Sequence, residues 1–213
     1  MAKIQLMVQI GVGGQHNCGG SLIAPRVVLS AAHCQKPGRA IYVVIGRHDL
    51  RNTKDGDVVL VKRKVIHPEY NAASSSFDND YMILILERDT TEKVDYLKVN
   101  PNWMFIGGNV AVTTMGYGHS YPGHLIGITY QEPVLNHAEV FTRTNEECNA
   151  AKGTSWGVES FGWFVGGIDD TTYAGQITEN MICAGDEGKL EWSSVDAYRY
   201  TWCLLNILLK TKR

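Results

Sequence analysis

His33 and Asp80 are the two residues whose types and surroundings point to chemistry. Hydrolysing an amide takes a nucleophile, a base that removes its proton, and a group that fixes the tautomer of that base. His33 stands in Val28-Leu29-Ser30-Ala31-Ala32-His33-Cys34, where a short turn beside a cysteine can hold an imidazole rigidly. Asp80 stands in Phe77-Asp78-Asn79-Asp80-Tyr81-Met82-Ile83-Leu84, at the start of an apolar run. A carboxylate entering such a run is costly unless something pairs with it, and a histidine Nδ1–H is a suitable partner. The two residues therefore read as general base and orienting acid. Taken by themselves they fit equally a structural histidine beside a disulfide and an aspartate that caps a turn.

A second motif competes for the chemistry. Gly153-Thr154-Ser155-Trp156-Gly157 fits the Gly-x-Ser-x-Gly elbow of α/β-hydrolases, whose partners follow in the order serine, acid, histidine. All seven histidines lie at or before His137, so none follows Ser155. Order excludes the elbow and leaves a loop serine.

The elements that must position these groups read as strands. Short β-type runs cover Lys3 to Ile10, Ser21 to Ser30 with a bend at Pro25-Arg26, Ile41 to Gly46, Val58 to Ile66 and Tyr81 to Leu86. Two more follow, Asn109 to Met115 and Val134 to Thr142, and glycines punctuate the chain throughout. That rhythm suits an all-β barrel or sandwich rather than βαβ units. Ala31 to Cys34 predicts one helical turn, and Asn145 to Lys152 a short helix with Asn145 as its cap over Glu146-Glu147. A division falls near Pro101, an irregular insertion covers Gly153 to Gly175, and the character changes again from Leu190 to Arg213.

Composition narrows the function classes. The 213 residues carry 20 Lys+Arg against 22 Asp+Glu, a net charge of −2 that argues against a nucleic-acid partner held by long-range attraction. With 44% hydrophobic and 20% charged residues the chain is globular rather than disordered. The longest apolar run, Tyr81 to Leu86, falls far short of the ~20 residues of a membrane helix, so no membrane partner is expected. Met1-Ala2-Lys3-Ile4 lacks the long apolar stretch of a secretory signal. Five cysteines without a C-x-x-C pair suggest Cys18 with Cys34, Cys148 with Cys183, and Cys203 left over. Two disulfides suit a secreted lineage, whereas the absence of an Asn-x-Ser/Thr sequon leaves free thiols open.

His16-Asn17-Cys18-Gly19-Gly20-Ser21-Leu22-Ile23, followed by Val28 to Cys34, resembles the trypsin/chymotrypsin family of serine endopeptidases. Asp78-Asn79-Asp80-Tyr81 resembles that family's second element, and Thr113-Thr114-Met115-Gly116-Tyr117-Gly118 is similar to its Thr-Gly-Trp-Gly stretch. Glu146 to Asn149 and Ile177 to Gly185 resemble its two later cysteine segments, so the likeness runs in order from about Met7 to Lys189. The resemblance implies a chymotrypsin-like double antiparallel β-barrel: a first barrel over 1–100, a partial second over 101–189, and a divergent tail over 190–213. It implies serine-type peptide-bond hydrolysis, with His33 as base, Asp80 as orienter, and protein or peptide substrates or protease inhibitors as partners. It also implies an extracellular setting and no cofactor.

The likeness breaks where the nucleophile belongs. That family places its serine in Gly-Asp-Ser-Gly-Gly, whereas here Leu190-Glu191-Trp192-Ser193-Ser194-Val195-Asp196 follows Lys189. Neither serine has the glycine flanks that a tight turn of oxyanion-binding N–H groups requires. The chain as written is therefore expected to be inactive. Three readings remain: an active protease altered by a misread exon or frameshift after Lys189, a catalytically dead homologue that binds proteins or inhibitors, and an active hydrolase with an unusual nucleophile. Ile10-Gly11-Val12-Gly13-Gly14 lies too near Cys18 to be the family's free amino terminus and reads as a hairpin. Arg47 stands where calcium-binding relatives carry Glu, so no calcium is expected beside His48. His119 and His124 read as loop groups, and Lys62-Arg63-Lys64 as a solvated strand edge.

Overall fold

The computed structural model describes residues 7–12, 15–73, 78–99, 108–117, 133–150, 159–160, 163–164 and 177–185. These fall into two compact units, one formed by 7–99 with Pro133–Leu135, the other by the remainder.

The first unit is a closed antiparallel barrel of six strands: β1 (Met7–Val12), β2 (Gln15–Ala24), β3 (Val27–Ser30), β4 (Tyr42–Ile45), β5 (Asp57–Ile66) and β6 (Met82–Leu86). Their order around the barrel is β1-β2-β3-β6-β5-β4, and β4 pairs back onto β1. Val, Ile and Leu dominate β3, β4 and β6, the residue types that fit a pleated, half-buried surface. Alternation selects the inward face, so Met82, Leu84 and Leu86 of β6 are buried while Ile83 and Ile85 are less so. With Leu22, Val28, Val43, Ile45 and Val59 they make the core. Each such side chain contributes about 1.5–3 kcal/mol by leaving water.

Gly46 and Gly56 bracket the β4–β5 loop with positive φ. At Gly56, φ is +82°, and a Cβ would stand 2.8 Å from the Ile45 carbonyl oxygen and 3.0 Å from the Arg47 nitrogen. Within the loop the buried Arg47 guanidinium donates from Nε to the Asp55 carbonyl at 3.0 Å and from Nη2 to that of Thr53 at 3.1 Å. Asp57, at the start of β5, accepts both Arg88 amino groups at 2.6 and 2.8 Å and the Thr91 N–H at 2.8 Å. The Arg88 hydrogen bonds hold its carboxyl well below the usual range, against an opposing effect of burial.

The second unit carries an antiparallel sheet of β7 (Ala111–Gly116), β8 (Asn136–Arg143) and β11 (Cys183–Gly185), in the order β11-β8-β7. Two-residue strands β9 (Glu159–Ser160) and β10 (Trp163–Phe164) pair with each other. Helix α1 (Asn145–Ala150) leads from β8, and Cys148 is bonded to Cys183 of β11. Asn149 closes this arrangement with its amide, accepting from the Ile177 N–H at 3.1 Å and donating to the Ile177 carbonyl at 2.9 Å.

Several local expectations need correction. The run from Ser21 to Ser30 is two strands, because Pro25-Arg26 forms a full turn, and β2 begins as early as Gln15. The cap of α1 is Thr144 rather than Asn145. The Thr144 hydroxyl accepts the Glu147 N–H at 3.1 Å, and the Glu147 carboxylate accepts the Thr144 N–H at 2.9 Å, a reciprocal capping box. Asn145 instead donates to the Thr178 carbonyl at 2.6 Å. Lys62-Arg63-Lys64 pairs with β6 alone, since β4 pairs only with Asp57–Leu60, and Lys62 and Arg63 are exposed, as the solvated-edge reading expects. The all-β architecture expected from the sequence is the one observed among the described residues.

Candidate active site

His33 and Asp80, 47 positions apart, are brought together by one strand ladder. β3 and β6 are antiparallel neighbours with Ser30 opposite Met82. His33 leaves the end of β3 and Asp80 precedes the start of β6, so both emerge at the same end of the pair. The register persists beyond the strands, for the Ala32 N–H donates to the Asp80 carbonyl at 3.3 Å.

A single 3-10 turn, Ala32–Cys34, presents the imidazole. Ala32 and Cys34 face the core on either side of His33, and Cys34 is bonded to Cys18 of β2. The turn is therefore pinned by burial and by a covalent bond. On the other side, Asn79 adopts φ 56°, the left-handed region that asparagine tolerates better than most residues. That turn passes the Tyr81 N–H to the Asn79 carbonyl at 2.7 Å and sets Asp80 on the barrel.

The Asp80 carboxylate has two duties toward one residue. Oδ1 accepts the His33 backbone N–H at 2.8 Å, and Oδ2 lies 2.6 Å from His33 Nδ1. The acid side chain is 5% exposed and the imidazole 37%, so a buried carboxylate holds a ring that reaches solvent. An ionised carboxylate only accepts hydrogen bonds, so the contact with ionised Asp80 places a proton on Nδ1. Nε2 lies 3.5 Å from Cys34 Sγ. Tyr70 packs against the same core, and its hydroxyl is raised above its ordinary value first by burial and then by the Asp80 charge.

The sequence pointed to the ring-to-carboxylate contact but missed the backbone bond from His33, the Ala32–Asp80 link, and the left-handed Asn79. An asparagine before an aspartate at a strand start is the signal that could have found the last. Arg47 lies within its loop bonded to carbonyls, and His48 is exposed, its carbonyl accepting the Leu135 N–H at 2.9 Å. Both expected disulfides form, Cys18–Cys34 and Cys148–Cys183. His119, His124, Ser155, Ser193, Ser194 and Cys203 lie outside the described residues, as do most of the 153–175 insertion and the 190–213 tail.

Comparison with known proteins agrees with this geometry. A family model described as Trypsin matches residues 2–192. Trypsin of Squalus acanthias is 31% identical over 179 residues, which cover 81% of this chain and 62% of that protein. Kallikrein-15 of Homo sapiens is 31% identical over 178 residues, covering 83% and 62% respectively. The chain thus spans less than two thirds of the length of these relatives. Among solved structures, mouse neuropsin, a serine protease, shares the fold with a TM-score of 0.66 at 24% identity, covering 87% of this chain and 71% of that one. The matched span takes in the closed barrel, both disulfides and the His33–Asp80 pair, and the chain belongs to the trypsin family.

Proposed function

We propose that this chain carries the base half of a trypsin-like serine endopeptidase, with His33 as general base and Asp80 as the carboxylate that orients it. The observation that carries this reading is the 2.6 Å approach of Asp80 Oδ2 to His33 Nδ1. Fixing the proton on Nδ1 leaves Nε2 to take a proton from an attacking hydroxyl, and the imidazolium so formed stays bonded to a buried anion. The substrate class is protein or peptide, and the setting extracellular, in keeping with two disulfides in a chain of this size.

As a polypeptide of 213 residues the chain hydrolyses peptides poorly or not at all. No serine with glycine on both sides follows Cys183, and Ser193 and Ser194 are flanked by Trp192 and Val195. Without the attacking hydroxyl, only the modest acceleration of binding and dipoles remains. The alternative is a protease homologue that binds proteins or inhibitors without cutting them. The absence of a glycine-flanked serine after Cys183 favours it.

A fluorophosphonate probe tests the inactivity, and peptide amide substrates test it independently. The expected result is a folded chain that remains unlabelled and does not turn over. A labelled serine, with labelling lost in His33→Ala, overturns the inactive reading while keeping the assigned base. Binding of a peptidic protease inhibitor by the unlabelled chain selects the binding module.

A further inference from the structure

Asp55-Gly56 is the one place in the 213 residues where an aspartate or asparagine precedes a glycine. Every other aspartate or asparagine is followed by a residue with a Cβ, which hinders approach to the next nitrogen. The pair closes the β4–β5 loop, immediately before β5 begins at Asp57. Asp55 is exposed, and among the described residues neither its carboxylate nor the Gly56 N–H is held by a hydrogen bond or ion pair. The carbonyl between them is held. The buried Arg47 guanidinium donates to it from Nε at 3.0 Å.

We propose that Asp55 is a modification site, where the chain isomerises to isoaspartate with Arg47 as the positioning residue. The Gly56 nitrogen gives its proton to water and attacks Cγ of the neutral Asp55 carboxyl. The new C–N bond closes a cyclic imide, and the Cγ–OH bond breaks, its oxygen leaving as water. A second water then adds to the former main-chain carbonyl and breaks the bond from that carbon to the Gly56 nitrogen. The chain now runs through Cβ and Cγ, and the main-chain carbonyl has become a carboxylate. One water leaves and one enters, so the change needs no oxidant, reductant or cofactor.

Arg47 favours both steps. A guanidinium is always charged, and its bond to the Asp55 carbonyl draws electron density from the peptide, so the Gly56 N–H is easier to remove. In the imide the same contact activates the carbonyl whose attack gives isoaspartate rather than a return to aspartate. The product sets a carboxylate before the guanidinium where a neutral carbonyl stood, and a hydrogen bond to an ionised group is roughly twice as strong as a neutral one. The fold feels the change. Gly56 has φ +82°, and a Cβ there would stand 2.8 Å from the Ile45 oxygen. An added backbone methylene beside it must therefore displace the loop from β4, next to the Asp57 that holds Arg88. The site stands whether or not the chain cleaves peptides.

The test warms the folded full-length chain in mildly acidic buffer and follows isoaspartate at residue 55 by peptide mapping and by enzymatic methylation of isoaspartyl groups. Wild type should isomerise faster than a synthetic peptide of residues 51–61, and Asp55→Glu should give no signal there. Arg47→Gln should isomerise about fivefold more slowly, the factor a hydrogen bond gains when its acceptor takes on charge. An Arg47 that merely props the loop predicts the opposite sign, because loosening the loop speeds closure of the ring. The proposal is overturned by folded wild type that forms no isoaspartate at residue 55, by a rate no higher than that of the peptide, by signal that persists in Asp55→Glu, or by Arg47→Gln that isomerises as fast as wild type or faster. If Arg47→Gln does not fold, the comparison of folded wild type with the peptide decides.

Discussion

Replacing Asp80 separates the two jobs of its carboxylate. In Asp80→Ala the His33 backbone N–H loses the acceptor it holds at 2.8 Å, and Nδ1 loses the one at 2.6 Å. An orphaned buried N–H costs about 1–3 kcal/mol, and a hydrogen bond to a charged group contributes about 1.5–3 kcal/mol. Part of the second figure returns, because a buried carboxylate no longer has to be kept out of water. The net expectation is a loss of about 2–4 kcal/mol. It should appear as a lower urea midpoint with an unchanged slope, followed by far-UV circular dichroism. Asp80→Asn should lose less, since its carbonyl oxygen can still accept the His33 N–H. Its NH2 then faces Nδ1, which must become an acceptor, so the ring proton moves to Nε2. Long-range nitrogen–proton NMR of His33 reads the tautomer directly. A wild-type midpoint in Asp80→Ala, or a ring still protonated on Nδ1 in Asp80→Asn, would refute the reasoning.

Three further outcomes follow from particular contacts. Gly56→Ala should lower the urea midpoint more than Gly38→Ala. Both have positive φ, worth about 1–2 kcal/mol, but only the Gly56 Cβ meets backbone, at 2.8 Å from the Ile45 oxygen, whereas nothing lies within 4 Å at Gly38; equal midpoints would count against the close approach. Asn149→Ala should cost about 1–3 kcal/mol by stranding the Ile177 N–H and carbonyl, seen as earlier loss of the second unit in hydrogen exchange. Asp57 is held below its unfolded value by Arg88, so its contribution is present above about pH 4, the unfolded carboxyl value, and is lost as pH falls through the lower folded value. Asp49, drawn down to about 2 by the Arg51 side chain and then its backbone N–H, titrates in the same window. The difference between wild type and Arg88→Gln, measured from pH 5 to pH 2, therefore isolates Asp57 and should shrink steadily on acidification; a constant difference would reject the pairing.

Much of the first barrel was legible because its strands bury one face and expose the other. Met82-Ile83-Leu84-Ile85-Leu86 and Val27-Val28-Leu29-Ser30 alternate between core and half-buried positions, and turn residues mark their ends. The base and acid could be read because rare residue types stood beside cysteines and apolar runs that constrain them. Finer features escaped because they depend on partners distant in sequence. The bend at Pro25-Arg26 becomes a turn only once β3 folds back on β2. Asn145 looked like a cap from its type alone, yet Thr144 caps while the Asn145 amide is drawn to Thr178, 33 positions away. The basic run on β5 was legible as a solvated edge because three charged residues in succession suit a stretch paired on one side only.

The Ser30–Met82 pairing makes alignment between two strands the true custodian of the imidazole. Side chains alternate along a strand, so a slip of one position would swing His33 and Asp80 to opposite faces at once, with no change to either residue. Substitutions at Val28, Leu29, Ile83 or Leu84, remote from any reacting atom, can therefore disarm the pair by moving a zipper one tooth.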